Sequence, residues 1–231
     1  MIKILRENRK WGIYLNCLQP LLIYLGLQMI VALVLNITPF FREYISYEEL
    51  NISEDLLVVV LSSFVGIFVY LHILKKEHEI KITEIIAGVN WKVIIRVIVI
   101  TLIYQILFSG LISFIHKTTN IDVLYEYKEN MNTLAIRKTA LSIFYLTVLA
   151  PIAEELLFRG LIFKRALNVM PEYKANLFQA VVFGIIHLNI VQSLDCIILG
   201  YIQGNLYCKY KTYLVPIVFH MLINIWSVVL P

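Results

Sequence analysis

Apolar residues run along this chain in long blocks, and the first four reach from Trp11 to Phe40, Leu56 to Leu74, Val93 to Ile115 and Lys138 to Leu167. Each is close to or beyond the ~20 residues that a helix needs to cross the hydrocarbon of a bilayer. Three tighter blocks follow, from Asn176 to Ile190, Ile190 to Tyr207 and Tyr213 to Leu230. The pattern predicts an all-α, polytopic transmembrane bundle of about seven spans. No Gly/Ser/Pro-rich linker and no internal repeat divides it, so residues 1–133 and 134–231 are expected to form two parts of one integral domain.

Composition agrees with a bilayer as solvent, since 60% of the 231 residues are hydrophobic and only 16% are charged. The basic start (Lys3, Arg6, Arg9, Lys10) resembles that of a secretory signal. The apolar block after it is longer than a signal core and lacks an A-x-A-like cleavage site, which predicts a retained first span. Basic residues then set orientation. The N-terminal tail, the segment with Lys75, Lys76, Lys81 and Lys92, the Lys164 to Lys174 turn and the Lys209 to Lys211 turn are expected on the cytoplasmic side. The loop around Glu43 to Asp55 is expected outside, while the Lys117 to Lys138 loop mixes its basic residues with Asp122, Glu126 and Glu129.

This bias accounts for the net charge of +4 without a nucleic-acid partner. Membrane lipids are the partner that the composition implies. Cys17, Cys196 and Cys208 form no C-x-x-C pair, so neither a disulfide framework nor a thiolate metal site is indicated.

Polar residues in the first half (Asn16, Gln19, Gln28, His72, Arg96, Gln105) follow no recurring spacing and read as snorkelling or interhelical hydrogen bonds. The second half places ionisable residues at helical spacings within successive apolar blocks. The stretch LAPIAEELLFRGLIF carries Glu154, Glu155 and Arg159, and one charge near the bilayer centre costs roughly 2.5 to 3.5 kcal/mol on insertion scales. Compensation is therefore required. Glu155 and Arg159 stand at i,i+4 with the acid first, the favourable order for an ion pair, whereas Glu154 points about 100° away. Phe183 and His187 follow in VVFGIIHLN, and His220 and Asn224 share one helix face in VPIVFHMLINIW.

Each cluster alone suits structural packing as well as chemistry. Together they supply one carboxylate, two imidazoles and an amide for a common pocket. At 1.5 Å per residue, Glu154 stands ~21 Å above Asn168 and His187 ~24 Å beyond Pro171, whereas His220 is only ~10 Å beyond Tyr213. The last span must therefore start deeper or tilt. The reaction these groups suit is attack of water on an amide, with a buried glutamate taking the proton, a histidine orienting the water and donors meeting the oxyanion. No G-x-S-x-G and no H-E-x-x-H is present, which argues against a serine hydrolase or a standard zincin.

E-E-x-x-x-R (Glu154, Glu155, Arg159), F-x-x-x-H (Phe183, His187) and H-x-x-x-N (His220, Asn224), in that order between about Leu141 and Leu230, resemble the CAAX prenyl endopeptidase and bacteriocin-processing (CPBP, Abi) family of intramembrane proteases. The resemblance implies a catalytic cavity formed by the last four spans. Glu154 and His187 would activate the water, His220 and Asn224 would form the oxyanion site, and Glu155 with Arg159 would orient the first pair. It also implies a peptide or lipidated-protein substrate. A required cofactor is not expected, although Glu154, His187 and His220 could form a two-histidine, one-carboxylate zinc site.

The rival reading is a non-catalytic immunity or scaffold protein, or a small transporter with buried proton-relaying charges. The sequence shows no C-terminal C-a-a-X, so the chain is not expected to be a prenylation target itself. A bacterial plasma membrane is the expected location. Among minor features, Gly200 and Gly204 suggest close helix packing, Gly160 suggests close approach of another helix, and Asp195 is expected at the membrane interface.

Overall fold

A computed structural model describes residues 2–37, 54–78, 89–119 and 139–229. The expected outer loop around Glu43 to Asp55, Lys81 and the Lys117 to Lys138 loop fall largely outside these residues. Among the described residues there are seven helices and no strand: α1 (Ile2–Ile37), α2 (Glu54–His78), α3 (Trp91–Thr119), α4 (Ala140–Leu167), α5 (Glu172–Ile185), α6 (Ile190–Tyr210) and α7 (Leu214–Val229). The all-helical polytopic bundle follows the apolar blocks closely. Four helices, α1 to α4, are long and apolar enough to cross a membrane, and α7 is a shorter apolar helix. The expected count of seven spans thus corresponds to seven helices of unequal kind. α5 has 14 residues, ~21 Å of rise, and both α5 and α6 carry polar side chains that face protein rather than lipid.

α4 is the centre of the bundle. It is buried along most of its length, whereas α1, α2 and α3 leave most of theirs uncovered, as surfaces meeting lipid tails should. Leu156, Leu157, Phe158, Leu161 and Ile162 of α4 pack with Tyr70 and Leu74 of α2, Phe183 of α5 and Cys196 of α6. Lower on the same helix, Phe163 and Ala166 pack with Cys17 of α1, Ala175 of α5 and Ile217 of α7. A third cluster joins Val93, Val97 and Tyr104 of α3 to α6 and α7. Gly160 admits α2, because a Cβ there would stand 2.9 Å from Leu74 Cδ1.

Two stretches of α4, Tyr145–Leu149 and Leu156–Phe163, are wound as wider π turns. The first has a cause in sequence. In π winding each N–H reaches the carbonyl five residues back, as Ala150 does to Tyr145. The next donor would be Pro151, which has no N–H. The carbonyl of Leu146 is left without its backbone partner, and the Asn224 side chain of α7 donates to it at 2.8 Å.

α5 and α6 form a tight antiparallel pair. The turn between them passes through Leu188 in the left-handed region (φ 56°), and Asn189 caps α6 by accepting from the Gln192 N–H. Gly184, Gly200 and Gly204 lie at the contact. A Cβ on Gly200 would stand 3.1 Å from the Ala180 Cα, and one on Gly184 would stand 2.5 Å from the Ser193 carbonyl oxygen, a backbone atom that cannot swing aside. Gly184→Ala is expected to destabilise the protein by about 1 to 3 kcal/mol. Gly26→Ala, where nothing lies within 4 Å of the new methyl, is expected to be neutral or slightly stabilising. Thermal unfolding of both variants in detergent checks the contrast.

Candidate active site

The site assembles on α4. Glu155 and Arg159 are both fully buried and form the i,i+4 ion pair that their spacing implies, with Arg159 Nη1 donating to Glu155 Oε1 at 2.9 Å. A charged pair in such surroundings needs further hydrogen bonds to offset its desolvation. α6 supplies them. Gln203 donates from Nε2 to Glu155 Oε1 at 2.8 Å and accepts from Arg159 Nη2 at 2.6 Å, and the Gly200 carbonyl accepts from the same Nη2 at 3.2 Å. The guanidinium also lies 4.9 Å from the centre of the Phe183 ring, a cation–π distance. Gly200 accepts a second bond from Gln179 Nε2 at 2.8 Å, and Gln179 in turn donates to Asn176.

His220 of α7 completes this group. Its Nδ1 lies 3.0 Å from Glu155 Oε1, and an ionised carboxylate only accepts, so Nδ1 carries the proton. The other ring nitrogen, Nε2, faces Glu154 Oε2 at 3.7 Å. Glu155 thus holds the imidazole by one edge and turns the opposite edge to Glu154, the carboxyl of the two that is not sealed off. The depth problem that the last span posed resolves as its short distance requires. Thr212 and Tyr213, in the turn before α7, are themselves buried, so the helix starts inside the protein.

His187 lies one residue beyond the C-cap of α5, in the α5–α6 turn rather than within an apolar helix. Its Nδ1 is 2.8 Å from the Phe183 carbonyl oxygen, which leaves Nε2 as the free acceptor. Phe183 meets the rings of both His187 and His220 edge-on, with centroids 5.0 Å and 5.9 Å away. Asn224 stands one turn beyond His220 with its amide engaged by Leu146. Asp195, expected at the interface, is buried and accepts a hydrogen bond from Tyr104 of α3. Its position in the second turn of α6 looked peripheral along the chain, but α3 covers it.

Among the described residues no three His, Cys, Asp or Glu side chains converge as a metal site.

Sequence reading had overlooked Gln203, Gln179 and Asn176. Their signal was available as uncharged amides inside apolar helices, with Asn176 and Gln179 spaced three apart and Gln203 just before Gly204. Tyr70 of α2 lies in the core cluster around α4 and Tyr24 of α1 packs against it, so the first half of the chain packs directly on the helix that bears the site.

Residues 136–226, which hold α4 to α6, most of α7 and all three motifs, match the model of the type II CAAX prenyl endopeptidase Rce1-like family. These helices are similar to that family. The resemblance read from the motifs holds over the stretch that bears the buried ion pair, the two histidines and Asn224. A Bacillus subtilis (strain 168) protein with the printed name "Putative membrane peptidase YdiL" is 31% identical over 107 residues, 45% of this chain and 44% of that protein. The chain thus aligns with under half the length of this curated relative. No solved structure matches the chain.

α4, α6 and α7 hold Glu155 and Arg159 in one buried network, and breaking it from one side leaves a charge without its partner. Arg159→Met is expected to cost about 3 to 5 kcal/mol, the usual penalty for orphaning a buried ion, measured as lost resistance to chemical or thermal unfolding in detergent.

Proposed function

We propose that the protein is an intramembrane endopeptidase that hydrolyses a peptide bond near the membrane with a water activated by Glu154. The observation that carries this reading is the His220 ring set between two carboxylates, one sealed and paired with Arg159, the other facing the pocket. A buried ion pair alone needs no second acid beside it. An acid next to a bare imidazole nitrogen, walled by further polar groups, is an arrangement for moving a proton.

The steps follow from these positions. Glu154 accepts a proton from water as the oxygen attacks the substrate carbonyl carbon. His187, with Nδ1–H tied to Phe183, offers Nε2 to orient that water. The proton is held between Glu154 and His220 Nε2, and while it resides on Nε2 the imidazolium, stabilised by Glu155, donates to the oxyanion. Asn224 has a second amide N–H besides the one bound to Leu146, and this contributes beside His220. Collapse of the tetrahedral intermediate breaks the C–N bond as the proton passes to the leaving nitrogen. Glu155 and Arg159 touch no reacting atom and act by holding His220.

The family description supports a CAAX-type substrate, a lipidated C-terminal peptide. The hydrophobic leader of a bacteriocin or signalling peptide presents similar chemistry to a site walled by lipid-facing helices. The proposed setting is a bacterial plasma membrane with a cytoplasmic N-terminus. Arg165, near the end of α4 that lies in the basic turn, pairs with Glu77 of α2 and with the Asn16 carbonyl of α1, which gathers three helices on that side.

The test uses the full chain in lipid nanodiscs with quenched fluorescent peptides: a farnesylated C-a-a-X peptide, its unprenylated twin and an apolar leader peptide. Glu154→Gln is expected to lower kcat/KM by about 10²- to 10⁴-fold, the usual contribution of a general base, with membrane abundance unchanged. Cleavage by Glu154→Gln or His187→Ala at the wild-type rate would overturn the mechanism. Toxin protection that survives in both variants, with no hydrolysis by either, would point to the scaffold role instead.

A further inference from the structure

Arginine and glutamate one helical turn apart have a default geometry in which two parallel N–H groups meet two carboxylate oxygens. Glu155 and Arg159 forgo it. All three donors to Glu155 reach the same oxygen, Oε1: Arg159 Nη1, Gln203 Nε2 and His220 Nδ1. Glu155 Oε2 and Arg159 Nε, the two atoms that a side-on fork would join, are both buried with no hydrogen-bond partner among the described residues. Leaving such groups unmatched is unfavourable, so something must hold the pair out of its preferred arrangement.

Gln203 is placed to do so. Its side chain is buried on α6, its N–H fixes Oε1 and its carbonyl oxygen draws Arg159 Nη2 away from the carboxylate. A carboxamide is the neutral group that can donate to an acid and accept from a base in one plane. Neither an apolar side chain nor a carboxylate does both. Gly204, the residue after it, lets α5 approach so closely that a Cβ there would overlap Asn176, which pins this turn of α6 against its neighbour.

We propose that Gln203 is a positioning residue: its carboxamide turns the Glu155 carboxylate so that a single oxygen serves Arg159 and His220 together, and thereby fixes which imidazole nitrogen of His220 is left bare toward Glu154. Without that carboxamide, Glu155 and Arg159 relax into the two-point fork, and Oε1 leaves His220. The imidazole then loses the partner that selects its Nδ1–H form. The consequence for catalysis rests on the protease reading above, but the effect on His220 does not.

The experiment is 15N NMR of the full chain in nanodiscs with 15N-labelled histidine, the His220 signals being assigned by their disappearance in His220→Gln. Wild-type protein is expected to show neutral His220 as a single form, protonated at Nδ1. Gln203→Met, Gln203→Leu and the near-isosteric Gln203→Glu, which lacks the donor to Glu155, are each expected to show both forms or a shift to Nε2–H. With a cleavable peptide in hand, the same variants should lower kcat with KM little changed. A wild-type His220 protonated at Nε2, or an Nδ1–H form that persists in the Gln203 variants, overturns the proposal. A normal tautomer change without any hydrolysis by wild-type protein sinks the protease reading alone.

Discussion

The buried ion pair between Glu155 and Arg159 is the constraint around which this protein is arranged. Two opposite charges on one helix, both sealed from solvent, gain from each other less than their desolvation takes, and the deficit is met by groups from other helices. Gln203 and the Gly200 carbonyl come from α6 and His220 from α7. Each of these bonds fixes a helix against α4 in rotation and in height. Register in the second half of the bundle is thus set by polar geometry, while the apolar clusters around it supply cohesion without much specificity.

The same logic explains why α4 is irregular. A helix that must present Glu154, Glu155 and Arg159 to different neighbours departs from uniform winding, and one π stretch precedes the two glutamates while the other carries Arg159. Pro151 removes one backbone donor at the first of them, and Asn224 restores it from α7. A side chain that the H-x-x-x-N spacing suggested for oxyanion binding therefore also mends the backbone of the facing helix. Both uses require α7 to start inside the bundle, which the buried turn at Thr212 and Tyr213 provides.

Much of this was legible along the chain, and the remainder was hidden for physical reasons. Apolar blocks located the helices because hydrocarbon-facing surface leaves little choice of residue. The Glu155–Arg159 pair was readable because i,i+4 spacing is a local property. His187 was harder: the apolar block continues past it, but Leu188 takes a left-handed conformation and ends α5 two residues before the histidine. Gln203 and Gln179 were not recognised, since an amide in an apolar helix looks like generic interhelical glue until its partners are known. The partner of Asp195 was hidden for a related reason, because nothing near it in sequence announces Tyr104, 91 residues earlier.

If the buried pair exists to aim His220 rather than to stabilise the fold, removing both charges at once should separate the two roles. The measurement is the stability and peptide-cleaving activity of the double variant Glu155→Leu, Arg159→Leu in nanodiscs, beside each single variant. The account predicts a double variant that resists unfolding clearly better than either single variant, yet cleaves nothing. A double variant that hydrolyses peptide at the wild-type rate would contradict it.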